Sequence, residues 1–210
     1  SFELLLFDNR GIGESDAPPG PYTAALMAAD AVQVLDEAGV DRAHVLGTSL
    51  GGMIAEELAL GWPERVDRLV LACTTPGGAK AFPMPQRTVD LMTRRATMRE
   101  YVENALEPDP RPELVDRILV HREREAQPFE HWAAQAGAGA AFDAHERLGS
   151  IAAPTLVQHG DGDTVVDPRN ADVLAAAIPS ARTSIYPGCG HLFMWQEPER
   201  FARELEEFLC

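Results

Sequence analysis

The 210-residue chain has little cysteine, few basic residues and no long apolar run. Its three cysteines, Cys73, Cys189 and Cys210, are an odd set without a CxxC pair. That pattern predicts reduced thiols and a cytoplasmic setting rather than a disulfide scaffold. The 18 basic residues are outnumbered by 33 acidic ones, a formal charge of −15. Nucleic-acid binding needs a basic footprint, so it is excluded, as is attraction to anionic membranes. The same charge gives no help in steering an acidic substrate. No stretch of about 20 apolar residues is present, which excludes a spanning helix. The N-terminus shows no basic segment followed by an apolar run and a cleavage site, so no signal peptide is expected. Internal repeats and low-complexity segments are absent as well.

What is present is an ample hydrophobic fraction, 45%, enough for one domain with a small insertion. The chain is organised around Val45-Leu46-Gly47-Thr48-Ser49-Leu50-Gly51-Gly52. An apolar, β-prone start runs into G-x-S-x-G and then into the helix-like Met53 to Leu60. Strand, sharp turn and helix with a serine on the turn make a nucleophile elbow. Flanking glycines let backbones pass closely. The N–H of Leu50, at a helix N-terminus, can face a developing oxyanion.

Along the chain, Phe2 to Phe7 is a continuous apolar run that predicts a buried strand. The glycine-punctuated loop Asp8 to Asp16 and a proline-rich stretch follow. Thr23 is a candidate N-cap for a helix over 24–38, and Gly39 a stop. Strands are predicted at 43–47, 66–72, 154–159 and 182–186, with helices at 169–177 and 198–209. Between 76 and 147 prolines divide helical segments, such as 86–105 and 112–126. The alternation predicts an α/β fold: a mostly parallel sheet with helices on both faces, its core from 1–75 and 148–210, plus a helical cap insert at 76–147.

A serine hydroxyl needs a base, and that base needs an orienting partner. In parallel sheets such groups gather at the carboxyl ends of strands. Gly160-Asp161-Gly162-Asp163 follows one late strand and Gly188-Cys189-Gly190-His191 follows the next. The order Ser49, Asp163, His191 is that expected for this elbow. Asp161 and Asp167 compete for the acid role; the first suits the turn and the second the next helix start. No acid follows the strand at 66–72, where Cys73-Thr74-Thr75 stands. His159, ending a strand, can hydrogen-bond near the site or serve structure alone. The remaining histidines show no metal-ligand spacing, and Gly11-Ile12-Gly13 lacks the third glycine of a dinucleotide fingerprint. No metal or organic cofactor is expected. Trp132, Phe193, Met194 and Trp195 are candidates for a pocket wall or for plain core.

Phe7 to Ser15, Gly47 to Gly52, Gly160 to Asp163 and Gly188 to His191 together resemble the α/β-hydrolase fold family. Within it the chain is most similar to 3-oxoadipate enol-lactonases, cofactor-free haloperoxidases and small esterases. The resemblance implies a Ser49/His191/Asp163 triad, an oxyanion hole using Leu50 N–H, and a small-molecule ester or lactone substrate. Peracid chemistry with the same triad, or a non-catalytic hydrolase-fold module, are the alternatives. The family pattern also places three strands ahead of the Phe2–Phe7 strand and a His-Gly loop supplying a second oxyanion N–H. Neither is found here. The expectation is therefore an open slot in the sheet or direct pairing of the two strands that flank it. Weak activity on activated esters and possible homo-oligomerisation go with it.

Overall fold

A computed structural model describes residues 2–124 and 128–210. In order, the elements are α1 (Ala24–Glu37), β1 (Ala43–Thr48), α2 (Leu50–Gly61), β2 (Val66–Ala72), α3 (Gln86–Thr93), α4 (Met98–Ala105), α5 (Pro112–Arg124), α6 (Phe129–Ala140), β3 (Thr155–Gly160), α7 (Asn170–Ala177), β4 (Ala181–Tyr186), α8 (Phe193–Gln196) and α9 (Pro198–Leu209). Residues 125–126, the expected end of the 112–126 helix, lie outside the described residues.

The four strands form one parallel sheet in sequence order, β1-β2-β3-β4. Side chains alternate across it. Leu69, Leu71 and Val157 enter the main core with Met27, Ala28 and Val32 of α1, Ile54 and Leu58 of α2, and Leu174 of α7. Val70 and Leu156 point to the opposite face and meet Phe208 of α9. Both faces are covered, so every residue of β3 is buried, as are Val66 and Leu69 to Ala72 of β2. None of the described helices is long and apolar enough to cross a membrane.

Local chemistry sets the helix ends. The Thr23 hydroxyl accepts from Leu26 N–H at 3.1 Å and caps α1. At the other end Gly39 adopts φ +67°, and Val40 N–H reaches back to Leu35 O at 2.9 Å. A left-handed residue there is what such a closure requires. α4 opens with a reciprocal Thr97/Glu100 capping box.

The predicted strand at Phe2–Phe7 is not formed. These residues take no regular structure and are exposed, with Leu4 at 77% and Leu6 at 84%. A strand is stable only within a ladder of neighbours. Among the described residues nothing pairs with this run, and β1 hydrogen-bonds along one side only, to β2. Beside β1, the Phe2 ring stands edge-on to His44 at 6.1 Å. Direct pairing of the two segments, one of the two expected outcomes, does not occur.

Candidate active site

All four strands run the same way, so their carboxyl ends share one edge of the sheet. Ser49 follows β1, Cys73 follows β2, Asp163 follows β3 and His191 follows β4. Residues up to 142 positions apart in sequence are thereby delivered to one rim.

Ser49 has φ 53° and ψ −120°, a conformation side-chain-bearing residues seldom adopt. Its N–H donates to Ala72 O at 2.9 Å, and its carbonyl accepts from Gly52 N–H at 2.9 Å and from the Thr74 hydroxyl at 2.8 Å. The turn is thus bound to the end of β2 while α2 begins at Leu50. A Cβ on Gly47 would overlap the carbonyl of Gly51, so the tight turn requires glycine there. Leu50 is the first residue of α2. Its N–H belongs to the helix terminus, where partial positive charge collects.

Asp163 is buried among four donors. Val165 N–H and Val166 N–H reach Oδ1 at 2.7 and 2.9 Å. His191 Nδ1 and His159 Nε2 meet Oδ2 at 2.7 and 3.0 Å. Burial on its own would favour the protonated acid. The His191 charge and the hydrogen bonds from His159 and His191 outweigh it and hold Asp163 well below the usual carboxylate range. For His191, burial disfavours the charged ring. Cys73 and Asp163 against it outweigh that and keep the imidazole well above its ordinary value.

The helices between β2 and β3 grip these loops directly. Leu192 N–H donates to Ala105 O at 3.0 Å, and Gln196 Nε2 to Leu106 O at 3.0 Å. The Gln196 Oε1 in turn accepts from Gly190 N–H at 2.8 Å. On the acid loop, Thr164 Oγ1 donates to Asn104 O at 2.6 Å. Through the end of α4, the loops bearing Asp163 and His191 are tied to one scaffold. A Cβ on Gly160 would strike the carbonyls of Cys189 and Gly190, so the two loops could not otherwise approach.

The rival acids serve other ends. Asp161 accepts from Gly188 N–H at 2.7 Å, the turn role expected of it. Asp167 pairs with Arg169, which itself occupies the N-cap position of α7. Of the candidate pocket residues, Phe193 is fully buried against Tyr186 and Phe201 and is core. Met194 packs beside that cluster. Trp195 packs on the α4–α5 cluster, with its ring 5.5 Å from His121. Trp132 stacks on Phe129 within α6. Two features escaped the sequence reading: the nearness of Cys73 to His191, and the shared use of Asp163 Oδ2 by two histidines. Their trace in the sequence is positional, since Cys73 and His159 stand at the ends of neighbouring central strands. Among the described residues no three acidic, histidine or cysteine side chains approach closely enough to hold a metal ion.

The alpha/beta hydrolase fold family matches residues 1–198. A 2-hydroxy-6-oxo-6-phenylhexa-2,4-dienoate hydrolase of Burkholderia cepacia is 31% identical over 226 residues, covering 100% of this chain and 77% of its own length. The structure of Est816, an N-acyl homoserine lactone degrading enzyme, is 31% identical with a TM-score of 0.83, covering 96% of this chain and 80% of that one. The enol-lactonase of Burkholderia xenovorans LB400 is 26% identical with a TM-score of 0.82, covering 96% and 78%. The chain belongs to the alpha/beta hydrolase fold family and is a hydrolase.

Proposed function

We propose that the chain is a serine hydrolase that cleaves a carboxylic ester or lactone through an acyl-enzyme. Ser49 Oγ attacks the carbonyl carbon and passes its proton to His191 Nε2. Asp163 holds the ring by Nδ1 and stabilises the imidazolium. The tetrahedral oxyanion faces the Leu50 N–H. Collapse expels the alkoxide, which takes the proton from His191, and water then releases the acid by the same steps in reverse roles. The helices α3–α6 act as the cap over the pocket, and Trp132 on α6 and Met194 on α8 are its candidate walls.

One observation carries the reading: the hydrogen-bonded Asp163–His191 pair stands at the same sheet edge as a serine held in a left-handed turn. The lactone-degrading enzymes among its structural relatives favour an ester or lactone bond. The dienoate hydrolase relative makes carbon–carbon cleavage the competing outcome.

The test is a panel of p-nitrophenyl esters, lactones and a dienoate, assayed beside Ser49→Ala. Turnover of the preferred ester or lactone should fall about 10³-fold or more in the variant, and a fluorophosphonate should label the parent alone. Labelled parent that turns over only the dienoate would move the assignment to the competing reaction. Because His191 acts as base only when deprotonated, kcat/KM should rise with pH through a value above that of ordinary imidazole.

A further inference from the structure

One buried titratable group beside the site has no task in that mechanism. His159 is the fifth residue of β3 and is inaccessible to solvent. Its Nε2 lies 3.0 Å from Asp163 Oδ2 and 3.3 Å from Val166 O. Both neighbours are acceptors, so Nε2 carries the hydrogen. Nδ1 is buried without a partner among the described residues. The ring is placed by a central strand, with His159 opposite Ile185 of β4.

Plain packing does not account for this arrangement. A ring that only fills space does not need a polar edge aimed at a carboxylate, and the orphan Nδ1 carries a desolvation cost that an apolar ring would avoid. The oxygen His159 meets is the one that also accepts from His191 Nδ1. The other oxygen is already occupied by the Val165 and Val166 N–H groups. Oδ2 is therefore shared between two imidazoles, and density given to one is withdrawn from the other.

We propose that His159 is a positioning residue of the hydrolytic site: its Nε2–H shares Asp163 Oδ2 with His191 and so limits how tightly the carboxylate grips the base. The inference rests on the reading of His191 as that base. An unshared Oδ2 would stabilise the imidazolium further and delay release of its proton as pH rises. The ionisable groups facing His191 are Asp163 after β3, Cys73 after β2 and, through Asp163, His159. Asp167 lies near His159, and Cys189 is on the loop of His191 itself.

Two variants test it. His159→Phe removes the donor and keeps a ring; His159→Gln keeps an N–H donor. The readouts are the pH profile of kcat/KM and the NMR titration of the His191 ring. For His159→Phe both should move up by about 0.5–1 pH unit, the size expected when one hydrogen bond to a buried carboxylate is lost. KM should stay within about twofold, and His159→Gln should lie closer to the parent. A folded His159→Phe protein whose His191 titrates as in the parent would overturn the proposal. If that variant does not fold, the parent decides. Its His159 ring should show a hydrogen-bonded proton on Nε2, and a proton found on Nδ1 overturns the proposal. Failure of the reading of His191 as the base looks different: His191→Gln would retain turnover, while the His191 ring titrations of the parent and of His159→Phe stay measurable.

Discussion

Two six-residue stretches, Phe2–Phe7 and Thr155–Gly160, met opposite fates. The first is Phe-Glu-Leu-Leu-Leu-Phe and the second Thr-Leu-Val-Gln-His-Gly. The more apolar run is exposed and irregular, whereas the more polar one is a strand buried at every position. Hydrophobicity alone did not decide between them. β3 is hydrogen-bonded on both sides, to β2 and β4, and covered on both faces. Each of its long polar side chains has a partner at one end: Gln158 Nε2 donates to the Tyr186 hydroxyl at 3.1 Å and to Glu204 at 3.0 Å, and His159 Nε2 meets Asp163. Residues 2–7 have no ladder neighbour among the described residues. Strand formation is a property of the assembled sheet, and a run of leucines is only a candidate for it.

The contrast can be broken first at the fully buried position Val157. Val157→Asp would place an unpaired charge between β2, β4 and the helices. The expected loss is about 4 kcal/mol or more, enough to unfold an ordinary domain. Leu6→Asp, the same kind of change at a site 84% exposed, should shift stability by no more than about 0.5 kcal/mol. Urea unfolding of both variants checks this, and equal losses would mean that the N-terminal run is buried in solution.

A smaller effect sharpens the role of polar partners. Glu56 of α2 is completely buried, and neither carboxyl oxygen has a hydrogen-bond partner among the described residues. Burial, then the charge of Glu57, pushes its carboxyl well above the usual range, with Arg147 opposing. A carboxyl raised on folding contributes its full stability below the ordinary carboxyl value. That contribution drains away as pH rises toward the raised value, because the unfolded chain ionises first. Glu56→Leu should therefore raise stability at neutral pH by about 1–3 kcal/mol, with the gain shrinking in acid. Unfolding midpoints across pH measure it; a gain independent of pH would show that the carboxyl is not held protonated.

The smallest effect concerns the side of β1 that is unpaired among the described residues; Leu46 on this strand is 43% exposed. Open strand edges with apolar side chains invite association. Leu46→Lys should leave unfolding within about 0.5 kcal/mol of the parent and lower any self-association seen by light scattering. Unchanged association would place the contact elsewhere.

Much of the architecture was legible because it is encoded locally. The Thr23 cap, the Gly39 stop and the strand–serine–helix turn at 45–60 all lie within a few residues of their causes. Asp163 and His191 could be placed because strand ends in a parallel sheet share an edge, and the order of elements predicts that edge. The fate of Phe2–Phe7 was not legible, since it depends on what lies beside β1. Phe193 illustrates the same limit: next to the histidine loop, it reads equally as pocket or core until Tyr186 and Phe201 are seen against it.

By itself, then, the sequence determined the alternation of elements, the strained serine turn and the order of the polar groups that follow the strands. These depend on spacing, capping and the steric demands of glycine, which act over short distances. Only the tertiary structure decided that Asp163 Oδ2 serves two imidazoles, that Cys73 comes near one of them, and that the most apolar strand candidate stays outside the sheet. Each of those outcomes depends on which distant side chain or strand comes to lie alongside, and no local pattern carries that information.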